Sequence, residues 1–124
     1  MMQTLGPIGQ IAITVSSVAT ALPFYRDVLG LRFLFQAGAE LAFLDAGGVR
    51  IMLTGPDGAG TVGASSVLYF RVSGLDAVHA AVLARGAQDG GAPHMIARMP
   101  DHELWMAFVR DPDGNMVGMM EERR

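Results

Sequence analysis

An α+β fold built from two similar β-α-β-β-β halves is predicted for this 124-residue chain. Three observations carry the prediction. Short runs rich in β-branched residues alternate with polar or small ones, as half-buried strands do. Single helical stretches interrupt those runs, and Gly-rich breaks separate the rest as hairpin turns do. The whole order then restarts, so that Val72 falls on Val15 at an offset of 57 residues.

Gln10 to Val15 is the first strand, with Ile11, Ile13 and Val15 facing one way and Gln10, Ala12 and Thr14 the other. Ser16 and Ser17 offer an N-cap for a helix over Val18 to Leu29, in which Ala21, Leu22, Tyr25, Val28 and Leu29 recur at helical spacing. Pro23 falls late for a first-turn proline, so the regular helix is expected to begin near Leu22 or to have an irregular first turn. Gly30 is placed to end it. Leu31 to Gln36, Glu40 to Asp45 and Arg50 to Leu53 follow as strands.

Thr54 to Ser65 has no periodicity and reads as a linker. Beyond it, Val67 to Val72 is a strand, Leu75 to Ala84 a helix, and Met95 to Met99, Leu104 to Arg110 and Met116 to Glu121 further strands. Asp111-Pro-Asp-Gly-Asn115 forms a turn whose every residue has a turn-forming reason to be there. One domain over residues 1–124 results: a first half about 8–53, a linker about 54–65 and a second half about 66–121.

Composition narrows the function. The 51% hydrophobic content suits a packed globule, and a net charge of -3 with only 9 basic residues offers no stripe to neutralise phosphates, so no nucleic-acid partner is expected. Cys is absent, which removes disulfides, thiolate ligands and cysteine nucleophiles. No apolar run approaches the roughly 20 residues of a membrane span, and no signal peptide is recognisable; the expected location is cytoplasmic. The 9 methionines suit either gap-filling in a core or a surface that adapts to varied ligands.

The repeated unit, with FYRDVLGL (Phe24 to Leu31) after the first strand and RDPDGN (Arg110 to Asn115) before the last, resembles the vicinal oxygen chelate superfamily of glyoxalases, extradiol dioxygenases and bleomycin-resistance proteins. The resemblance spans about Ile8 to Glu121. It implies two modules forming a U-shaped, incompletely closed mixed sheet, and a homodimer. It also implies four metal-ligand positions, which carry over to Gln10, Met52, Val67 and Gly118. Of these only Gln10 is a ligand-type residue, whereas about three protein ligands are needed to hold a divalent metal. No metal and no other cofactor is therefore expected.

Period-2 alternation puts Gln10, Ala12, Met52, Val67, Tyr69, Met116 and Met120 on the cleft side, with Ile11, Ile13, Ile51, Leu53, Leu68, Phe70 and Val117 toward the helices. An apolar lining with a few polar handles is the make-up of a small-molecule pocket. The expected ligand contacts are Gln10, Met52, Tyr69, Arg71, His94, Trp105 and Met116, with an apolar or aromatic molecule as ligand. Trp105 could stack on a planar ligand, while His79 is expected on a helix surface and Tyr25 in the core. The alternative is a glyoxalase-like lyase, isomerase or dioxygenase with a relocated site using Gln10, His94, His102 and Glu103.

Overall fold

A computed structural model describes residues 3–57 and 60–124. Positions 58 and 59 of the expected linker lie outside the described residues. The chain forms strand β1 (Gln10–Thr14), helix α1 (Val18–Pro23) continuing into a π-helical turn (Phe24–Val28), and strands β2 (Arg32–Gln36), β3 (Leu41–Ala46) and β4 (Val49–Thr54). The second half supplies β5 (Leu68–Arg71), α2 (Leu75–Ala84), β6 (Gln88–Arg98), β7 (Glu103–Arg110) and β8 (Met116–Arg123). Two four-stranded mixed sheets result, β1-β4-β3-β2 and β5-β8-β7-β6, and neither closes into a barrel. In each, the first strand pairs in parallel with the last and the rest of the sheet is antiparallel. Both halves are thus β-α-β-β-β units of the same topology. Among the described residues no helix is long and apolar enough to cross a membrane.

The alternation read from the sequence decides which sheet face is buried. Ile13, Leu44, Ile51 and Leu53 of the first sheet and Ala107, Val109, Val117 and Met119 of the second join Val18, Ala21, Leu22, Tyr25, Leu75 and Val82 of the helices in one core. That core runs through both halves on the helix side. The opposite faces are the more exposed ones, although Thr14, Phe43 and Thr54 on the first of them are buried.

Three local features differ from the sequence reading. Pro23 ends the regular helical segment instead of preceding it: Ser17 caps α1 through its Oγ, which accepts from Thr20 N at 3.3 Å. Pro23 has no N–H to give to the carbonyl four residues earlier. After it the ladder widens, with Leu29 N donating to Phe24 O at 2.9 Å. The π-turn ends at Gly30, whose φ of +83° is left-handed. Next, the third strand from the end is not a five-residue run but the 11-residue β6, whose register with β7 shifts at Asp89/Gly91, Gly91/His94 and Met95/Ala97. Those irregularities broke the alternation that would have revealed it. Finally, His79 is buried at 5% exposure, not on the helix surface, with Nε2 3.2 Å from Asp89 Oδ1. The α2 face that carries it packs against β6 and β7.

The RDPDGN turn fastens the halves together. Asp111, only 3% exposed, accepts from Asp113 N and Asn115 N through Oδ1, and from Asn115 Nδ2 and the Tyr25 hydroxyl through Oδ2. Asp113 reaches back to accept from Ser16 N at 3.0 Å, and Asn115 Oδ1 accepts from Ser65 N at 3.1 Å. Helix α2 is capped from a distance. Its N-cap residue, Gly74, has no side chain, and Glu121 of β8 instead accepts from Gly74 N at 2.6 Å and Leu75 N at 3.3 Å.

Candidate functional site

The open face of the first sheet is set out by strand register. Gln10 lies beside Arg50 and Asp45; Ala12 beside Met52 and Phe43, with Phe35 beyond; Thr14 beside Thr54 and Leu41. Arg50 Nε donates to Gln10 Oε1 at 2.7 Å, and the Gln10 amide nitrogen lies 3.5 Å from Met52 Sδ. The Arg50 guanidinium stands 5.0 Å from the centroid of the Phe43 ring, which stacks on Phe35 at 4.5 Å. Residues 60–65 lie against this face and border a hollow of about 240 Å³ lined by Ala12, Thr14, Met52, Thr54, Thr61 and Ser65.

The open face of the second sheet follows the same logic. His94, Met106, Met120 and Arg71 form one row across the strands, Phe108, Gly118 and Tyr69 the next, and Arg110 and Met116 a third. Tyr69 meets Phe108 edge to face at 5.8 Å and is 46% exposed. A Cβ built on Gly118 would lie 2.6 Å from Tyr69 Cδ2, so the ring fills the space a side chain at 118 would need. His94 is exposed, with Nδ1 2.8 Å from Ala92 O.

The predicted ligand contacts therefore sit in two groups: Gln10 and Met52 on the first sheet; Tyr69, Arg71, His94 and Met116 on the second. Trp105 falls outside both. Counting alternately from buried Ala107 and Val109 puts it on the helix side, packed against the core. There its Nε1 donates to Glu103 Oε1 at 3.0 Å and its ring lies under the Arg123 guanidinium at 4.1 Å. Sequence reasoning passed over Arg50, Phe35, Phe43, Met106 and Phe108. The signal for Arg50 was present, since alternation puts it on the same face as Met52.

The four positions where the resemblance implies metal ligands do not make a donor set. The Gln10 amide oxygen already accepts from a guanidinium, Met52 offers a soft thioether, Val67 has no donor, and the Gly118 position is covered by the Tyr69 ring. Among the described residues no three His, Asp or Glu side chains are grouped to hold a metal. Nor does any hydrogen bond among the described residues link Gln10, His94, His102 and Glu103 to one another. His102 pairs with Asp101 at 2.7 Å and Glu103 with Arg98 at 2.9 Å.

Known proteins share this architecture. A lactoylglutathione lyase from Agrobacterium tumefaciens superposes with a TM-score of 0.75 at 21% identity, over 95% of each chain. A virulence protein from Salmonella typhimurium gives 0.76 at 24% identity, covering 96% of this chain and 98% of its own. A superfamily member from Sphaerobacter thermophilus gives 0.76 at 23%, covering 95% and 98%. No curated protein matches the chain. Residues 7–119 match the glyoxalase family, described as the Glyoxalase/Bleomycin resistance protein/Dioxygenase superfamily, and the chain belongs to that superfamily.

Proposed function

We propose that this protein binds an apolar or aromatic small molecule without a metal, in a Met-lined cleft over the open sheet faces. The observation that carries the reading is the Tyr69 ring lying over Gly118, which puts an aromatic surface where a metal ligand would otherwise project. Around it, Met106, Met116 and Met120 supply flexible, polarizable contacts, and Arg71 and His94 supply polar handles. On the other sheet the hollow beside Met52 adds apolar lining. In solution the chain works as a homodimer, a reading supported by the exposed Phe33 and Phe35 on outer strand β2 and Met95 and Ile96 on outer strand β6.

A thermal-shift screen of divalent metals and aromatic metabolites, with and without chelator, tests the reading. A ligand of the native state raises the melting temperature by mass action. Stabilisation by an aromatic compound in the presence of chelator supports it. Stabilisation by metals alone, with about one metal ion per purified chain, overturns it.

A further inference from the structure

We propose that Arg50 stands in for the metal of this fold, as a fixed organic cation that receives the carboxylate of a small aromatic acid. The proposal rests on the small-molecule reading above and narrows its ligand class. The Gln10 amide oxygen is the one hard donor left at the four ligand positions, and it lies 2.7 Å from Arg50 Nε. A metal ion held about 2 Å from that oxygen would press against the guanidinium, like charge on like charge. The site has exchanged one kind of positive charge for another.

Arg50 is held as a binding group would be. Gln10 fixes Nε and the Phe43 ring supports the guanidinium at 5.0 Å, while the side chain remains exposed. Among the described residues no carboxylate comes within 4.0 Å of Arg50 and neither Nη meets an acceptor. Asp45, its cross-strand neighbour, is directed elsewhere, accepting from Gly48 N at 3.1 Å. Most other arginines are engaged: Arg26, Arg98, Arg123 and Arg124 form ion pairs, and Arg85 and Arg110 donate to backbone carbonyls. A planar fork with its outer N–H groups unpaired matches the two oxygens of a carboxylate.

The surroundings fix the rest of the ligand. Met52 follows Arg50 by two residues on the same face, about 7 Å along the strand, and borders the hollow with Ala12. Phe35, 45% exposed and stacked on Phe43, offers a second apolar surface beside the cation. A carboxylate at Arg50 with a ring one to three bonds away spans that distance.

NMR titration of the whole chain with benzoate, phenylacetate and 3-phenylpropionate, each against its neutral amide and with chelator present, tests the assignment. At least one acid is expected to bind more than tenfold tighter than its amide, with shifts centred on Gln10, Arg50 and Met52. Arg50→Gln is expected to abolish that preference, bringing acid and amide affinities together. Equal binding of acids and amides to the unaltered protein overturns the proposal whether or not the variant folds, and leaves the small-molecule reading standing. Retention of the preference in a folded Arg50→Gln protein overturns it too. If neither acids nor amides bind, this proposal falls, and the small-molecule reading is decided by the thermal-shift screen alone.

Discussion

The hydroxyl of Tyr25 donates to Oδ2 of Asp111 at 2.7 Å, in a contact 86 residues apart that ties the helix of the first half to the last turn of the second. Both groups are buried, and the carboxylate spends its other bonds on its own turn. Tyr25→Phe removes one donor from a buried charge, at a cost of about 1.5–3 kcal/mol. Urea unfolding should show the lower midpoint with an unchanged m-value.

The same contact sets an alkaline limit. Burial, and then the Asp111 carboxylate, hold the Tyr25 hydroxyl protonated well above the usual tyrosine range. In the unfolded chain it ionises near its ordinary value of about 10. The stability it contributes is therefore complete below that pH and is lost progressively as pH rises above it, because only the unfolded state releases the proton. A plot of unfolding free energy against pH should turn downward above about 10, and Tyr25→Phe should flatten that slope.

Glu121 sets the corresponding acid limit. Arg123, and then the Gly74 N–H, hold its carboxyl below the usual range. Its contribution is present above the unfolded carboxylate value of about 4.3 and is lost as pH falls through the lower folded value. Glu121→Ala also leaves α2 without its cap, which costs about 1 kcal/mol. Helix α2 amides should exchange faster, and the acid side of the stability profile should become shallower.

Gly118→Ala brings a methyl group against the Tyr69 ring. The ring must swing off the sheet or the strands must part, a cost of about 1–3 kcal/mol. Thermal unfolding should register the loss, and the Tyr69 ring resonances should shift. An unchanged melting temperature would mean that the ring does not rest on Gly118.

Metal removal should do nothing. The donor set at Gln10, Met52, Val67 and Gly118 predicts the same melting temperature before and after exhaustive chelation, and no stoichiometric metal in the purified chain. Elemental analysis and calorimetry check both.

The sequence made the buried sheet faces legible because Ile11, Ile13, Ile51 and Leu53 alternate without interruption. Helix α2 was legible from its bounds, a run free of Gly and Pro that starts after Ser73-Gly74 and stops at Arg85-Gly86. What alternation could not supply was information set by register. The bulged pairing of β6 hid most of that strand, and the depth of His79 depends on how α2 lies on β6 and β7. Aromatic character alone does not place Trp105; its phase, counted from Ala107, decides its face. The Glu121 cap spans 47 residues and leaves no local trace. At the candidate site, Gln10 and Met52 could be placed from the sequence, but their coupling to Arg50 needed the parallel pairing of β1 with β4.

The parallel strand pair that begins and ends each half carries Ala12 opposite Met52 in one copy and Tyr69 opposite Gly118 in the other. Bulk sits on the inner strand in the first case and on the outer strand in the second. Neither arrangement converts to the other by one substitution: a large residue at 118 meets the standing ring, and glycine at 52 leaves Ala12 facing a gap. The two positions of each pair are thus coupled in size. Among descendants of this chain, a change at 69 should therefore be inherited together with one at 118.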